Sequence, residues 1–181
     1  MKKALFPLST KQIVQIALFL AALLAVEFST VVAAGAMWLW FAFDRYYCTA
    51  LIVIYVLCAR VTGLRFAVLI LGLCEALLGL VFGAAYGGPL FALYPFSEAL
   101  ALQGVFLVTR TNGEDLKADM LGGALFGLVG GIFFLIIIGM WMMKQVLPFW
   151  YVGLRLLSIA VTSAVGGYVA YRVGNRLKGV V

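Results

Sequence analysis

Six apolar runs fill this chain, each close to the length that crosses a bilayer, and its basic residues fall almost entirely on one side of them. A hydrocarbon core of roughly 30 Å requires about 20 apolar residues per helix. The runs lie near Ile13–Ala34, Tyr46–Val61, Phe66–Tyr86, Leu90–Thr109, Met120–Met143 and Trp150–Tyr171. A further apolar stretch, Trp38–Phe43, stands just ahead of the second and could start it earlier. Only 11% of the 181 residues are charged and 66% are hydrophobic, at a mean hydropathy of +1.15. That leaves too few polar residues to give each helix a water-facing side. The expected fold class is all-α: a polytopic membrane protein of six transmembrane helices, in one domain over residues 1–181.

Charge placement predicts the topology. With the N-terminus inside, the cytoplasmic segments hold Lys2, Lys3, Lys11, Arg60, Arg65, Arg110, Lys117, Arg172, Arg176 and Lys178. That is ten of the 13 Lys and Arg, leaving Arg45, Lys144 and Arg155 to the outer side. The positive-inside rule then favours both termini in the cytoplasm of a multi-pass cell (inner) membrane protein. Anionic lipid of the inner leaflet accounts for the formal charge of +6. Basic residues scattered over short loops do not make a nucleic-acid surface. The first apolar run is too long for a cleaved signal peptide, and five more follow. Ser9 and Gln12 have the spacing of a capping box at the start of the first helix. Cys48, Cys58 and Cys74 lie in or beside apolar runs without CxxC spacing, and read as small packing residues.

Catalytic chemistry is missing. There is no histidine, which removes His-dependent metal sites, acid–base relays and Ser-His nucleophiles. No GxxxxGK[ST] loop, GxSxG elbow or Asp-rich metal motif occurs. Glu114, Asp115 and Asp119 fall in the longest polar loop, Arg110–Asp119, and read as a solvated mixed-charge turn. No catalytic residue, metal site or cofactor is expected.

Small residues recur at four-residue spacing in three runs: Ala17, Ala21 and Ala25; Gly79, Gly83 and Gly87; Gly123, Gly127 and Gly131. Such rows share one helix face and allow close backbone approach. The glycine rows read as internal packing. The alanine row fits internal packing or a smooth face for a partner.

Charges within the bilayer are costly and must face inward or pair. At ~1.5 Å per residue, Glu27, Glu75, Glu98 and Arg155 fall in one outer-to-middle zone on four different helices. Two arrangements meet the demand. In one, a single carboxylate neutralises Arg155 while the others are protonated or hydrogen-bonded; in the other, the four line an outward-opening polar pocket. Aromatics gather at the same end, among them Trp38, Tyr94, Trp141 and Trp150. A net-acidic zone with aromatic faces suits a cationic or amine-bearing ring.

A short six-span chain with an alanine row on its first helix resembles the substrate-binding S components of energy-coupling-factor (ECF) vitamin transporters. Their first helix carries an AxxxA pattern, matched by Ala17–Ala21–Ala25. Glu75–Gly83 (EALLGLVFG) and Ala99–Val108 (ALALQGVFLV) look similar to the thiamine/hydroxymethylpyrimidine branch. The resemblance implies a subunit that binds a vitamin from outside, with thiamine as the first guess. It also implies that the alanine face docks on a transmembrane coupling subunit carrying two cytoplasmic ATPases. Besides these partners only membrane lipid is expected, and no nucleic acid. The competing reading is a small multi-span scaffold of the cell-wall, rod-shape type, which has no use for an acidic aromatic pocket. A lipid-modifying enzyme is disfavoured by the missing histidine and Asp-rich motif.

Overall fold

The computed structural model describes residues 8–34, 40–82, 89–142, 144 and 146–177. Among them every regular element is helical. Helix α1 covers Thr10–Ala34, α2 Trp40–Thr62, α3 Ala67–Phe82 and α4 Pro89–Thr109. Helix α5, Leu116–Ile132, runs directly into a π-helical segment, Phe133–Met142; α6 covers Phe149–Leu177. The stretches Thr10–Glu27, Leu116–Ile137 and Phe149–Leu177 are long and apolar enough to cross a membrane. Shorter apolar helices fill Cys48–Thr62, Ala67–Val81 and Leu93–Thr109.

Helix starts and stops follow local chemistry. The Gln12 amide N–H donates to Ser9 Oγ at 3.3 Å, and the Ser9 N–H donates to Gln12 Oε1 at 3.0 Å, closing the capping box. Gly63 ends α2 in the left-handed region, φ +63°, with its N–H on the Ala59 carbonyl at 3.1 Å. Asn112 Nδ2 then donates to the carbonyls of Ala59 (2.9 Å) and Leu64 (3.2 Å), fastening the α4–α5 loop over the α2–α3 turn.

The Arg110–Asp119 segment corrects one expectation. Asp115 caps α5, accepting from the Lys117 N–H, so the helix begins at Leu116 rather than Met120. Glu114 and Asp115 are exposed as expected of a turn, but Asp119 is fully buried. The cause lies on α6: a Cβ at Gly167 would stand 2.1 Å from the Asp119 carbonyl oxygen. Only glycine there lets α5 sink that far. Neither Asp119 carboxyl oxygen has a hydrogen-bond partner among the described residues.

The helices form a ring in the order α1, α2, α6, α5, α4, α3, closed where α3 meets α1 and α2. Helix α2 also touches α5, so its middle is the centre of the bundle. Leu51, Ile52, Tyr55 and Val56 of α2 are buried there with Leu23, Leu71, Leu102, Phe106 and Phe126. The Tyr55 and Phe126 rings meet at 5.3 Å. Helices pack closely in lipid only where side chains are small. Gly123, Gly127 and Gly131 face α6, against Ser163, Leu156 and Ile159. Gly166 of α6 returns the contact on α2, against Ile52 and Thr49. Of the other expected glycine row, Gly79 is half-buried; Gly83 and Gly87 lie outside the described residues.

Candidate functional site

Two close approaches build the site. The first is Gly72 of α3 against Ala99 of α4. A Cβ on Gly72 would come within 2.3 Å of the Ala99 Cβ and 3.4 Å of the Tyr55 hydroxyl. Glu75 stands three residues beyond Gly72, on the same face of α3, and Glu98 adjoins Ala99. Contact between these helices therefore carries both carboxyls into the bundle, where Glu75 is 3% and Glu98 2% exposed. The second approach is Gly130 of α5. A Cβ there would overlap the Glu98 carboxyl, so the missing side chain is the space that carboxyl occupies.

The remaining groups arrive from α1 and α2. On α1, Ile16, Leu20 and Leu23 form the inward stripe, and Glu27 continues it one turn after Leu23. The Glu27 carboxyl hydrogen-bonds that of Glu75, and Glu98 lies near enough to repel it. Tyr55, wholly buried on α2, donates its hydroxyl to Glu75 Oε2. Three acids and a phenol from four helices thus meet inside the bundle. Three acidic side chains gathered in a low dielectric form a cluster suited to a cationic donor.

An aromatic wall adjoins the acids. Pro95 removes one backbone hydrogen bond from α4. Beside it the half-buried Tyr94 ring meets Phe133 at 6.3 Å and Phe134 at 6.2 Å. These two phenylalanines open the π-helical segment, whose wider turns present side chains at angles an α-helix does not reach. Such segments recur at functional sites.

Of the residues expected in a pocket, the structure brings together Glu27, Glu75 and Glu98, with Tyr94 on the same helix as Glu98. Arg155 is half-buried on α6, which packs on α2 and α5. Trp150 stands apart: it is 68% exposed at the start of α6, its ring edge-on to Tyr151 at 6.1 Å. Trp38 and the Trp141 side chain lie outside the described residues. Sequence reasoning missed Tyr55. Its signal was a tyrosine at mid-span rather than at an interface, where aromatic hydroxyls normally sit. Ala17, Ala21 and Ala25 are all exposed, on the face of α1 opposite the Leu23–Glu27 stripe.

No protein-family model matches the sequence, and no curated protein matches it. Among solved structures, the fold is similar to one described as "Crystal structure of an S-component of ECF transporter". The TM-score is 0.68 at 23% identity, over 95% of this chain and 86% of that one. The chain therefore has an S-component-like, all-helical membrane fold.

Proposed function

We propose that this chain is the substrate-binding subunit of an ECF-type importer, and that its ligand is a small amine-bearing or cationic aromatic molecule, thiamine-like as the first guess. The observation that carries the reading is the acid cluster of Glu27, Glu75 and Glu98 inside a fold shared with an S component over nearly the whole chain. Three carboxyls gathered on the inner faces of three helices mark a functional place in a membrane bundle. A rod-shape-type scaffold would have no use for it. The aromatic wall of Tyr94, Phe133 and Phe134 supplies flat faces beside the charge, an arrangement suited to cation–π contact. Arg155 would orient an anionic substituent, and Trp38, Trp141 and Trp150 would supply further stacking faces.

The exposed alanine row supports the second half of the reading. A helix face of small side chains turned away from its own bundle is suited to close approach by a foreign helix. Ala17, Ala21 and Ala25 would dock on a transmembrane coupling subunit served by two cytoplasmic ATPases. Energy for uptake would come from that module.

Mass spectrometry of small molecules co-purifying with the detergent-solubilised protein tests the ligand class. Calorimetry on Glu75→Gln and Glu98→Gln then tests the cluster. Removing one desolvated charge partner should cost roughly 2–5 kcal/mol of affinity. An anionic best ligand, or full affinity in both variants, would overturn the acidic-site argument. Absence of any ligand-dependent thermal stabilisation across a vitamin panel would favour the scaffold reading.

A further inference from the structure

Helix α6 carries an exposed face that the bundle does not use. Leu157, Val161 and Val165 are 62%, 55% and 49% exposed, and Tyr168 follows at 38%. Their spacing of three or four residues places them on one side of the helix, and the same side continues to Arg172 and Arg176, both exposed. An apolar track therefore ends in two guanidinium groups. The eleven helical steps from Val161 to Arg172 span about 16 Å at ~1.5 Å each, close to the roughly 15 Å of half a bilayer core. Tyr168, Arg172, Val173 and Arg176 line a groove of about 290 Å³ at that end.

The groove is organised for an anion. Arg172 Nε donates to the Tyr168 hydroxyl at 2.9 Å, and its guanidinium carbon lies 5.3 Å from the Tyr168 ring centroid. That bond engages Nε and helps fix the plane of the fork over the ring, leaving the terminal nitrogens as further donors. Planar forks of this kind grip phosphate in a bidentate manner. Arg176 is one turn further, close enough for both groups to share one phosphate. Helix α6 contains no Asp or Glu to neutralise them.

We propose that this face of α6 is a binding site for an anionic phospholipid. Arg172 and Arg176 hold the headgroup phosphate, Tyr168 positions Arg172, and the acyl chain lies along Val165, Val161 and Leu157. On the topology predicted from the basic residues, the lipid belongs to the cytoplasmic leaflet. The inference needs only that the chain spans a membrane. It does not depend on the transport reading, and neither failure entails the other.

Native mass spectrometry of the delipidated full chain, titrated with phosphatidylglycerol or with phosphatidylcholine of the same acyl chains, tests it. Phosphatidylglycerol should bind in preference. Arg172→Gln combined with Arg176→Gln should weaken its binding on the order of tenfold or more, since each basic side chain near a lipid surface contributes to attraction. Tyr168→Phe should produce a smaller loss, and Arg172→Lys should recover only part of the Arg172→Gln deficit, because an ammonium lacks the fork. Arg110→Gln, on an exposed loop position, serves as the control and should bind as the wild type does. Equal binding of the two lipids, or undiminished phosphatidylglycerol binding in the double variant, would overturn the site. So would glycerophosphate competing as effectively as the lipid, which would mark a free-phosphate site, or retention of an acidic protein there in place of lipid.

Discussion

Substituting Gly123 by alanine tests the helix packing most directly. The added Cβ would stand 2.3 Å from the Ser163 carbonyl oxygen, 3.0 Å from its carbon and 3.3 Å from Ile52 Cγ1. The first two are backbone atoms and cannot rotate aside. Restoring an ordinary separation of roughly 3.5 Å requires α5 and α6 to part by about 1 Å. A gap of that size forfeits about a quarter to a half of the dispersion energy of each facing contact, and Gly127 and Gly131 share the same interface. Overpacking of this kind costs ~1–3 kcal/mol. Alanine returns about 1 kcal/mol through helix propensity, so the net loss should be up to about 2 kcal/mol. Thermal unfolding in detergent, followed by intrinsic fluorescence, measures it. Gly104→Ala is the matched control: it is also within a helix, but its Cβ would meet nothing within 4 Å, so its midpoint should hold or rise. If Gly123→Ala melts at or above the wild type, the backbone contact between α5 and α6 is not as described and the packing argument fails.

Gly130→Ala should act on the ligand instead of the fold, because its Cβ meets the movable end of Glu98 rather than backbone; affinity measured by calorimetry should fall while the melting midpoint shifts little. Ala21→Trp should abolish co-purification with the coupling subunit and leave ligand binding nearly intact. Unfolding of the isolated variant would contradict the exposed placement of the alanine row. For the topology, a cysteine placed at Gly88 should react with an impermeant reagent from outside, whereas one at the exposed Glu114 should not. The background would need Cys48, Cys58 and Cys74 replaced, and the reverse labelling pattern would invert the orientation.

The helices were legible because each apolar run is long and lacks the polar face of a soluble helix. The inward placement of Glu75 and Glu98 followed from the cost of charge in hydrocarbon, and the Gly123–Gly127–Gly131 face from its spacing. What remained hidden depends on which helix lies next to which. Asp119 sits in a charged stretch and looks solvated; its burial comes from Gly167, nearly fifty residues away. Gly130 does not belong to the four-residue row, and its role appears only when Glu98 of α4 is set against it. Tyr55 reads as one more aromatic in an apolar run until Glu75 is placed at its hydroxyl. The turn from α-helical to π-helical geometry at Phe133 has no evident local cause in the sequence.

The order of helices around the ring differs from their order in the chain, and this bears on how the protein is made. Helices leave the translocation machinery in sequence, so α1 to α5 reach the membrane before α6. Helix α6 fits between α2 and α5. Two surfaces are shaped for it, Thr49 and Ile52 on one side and the Gly123–Gly131 face on the other. The acid cluster draws on α1, α3 and α4, and its phenol on α2, all of which precede α6. The four helices that carry the acids and the phenol thus enter the membrane ahead of α6, which comes to rest between α2 and α5.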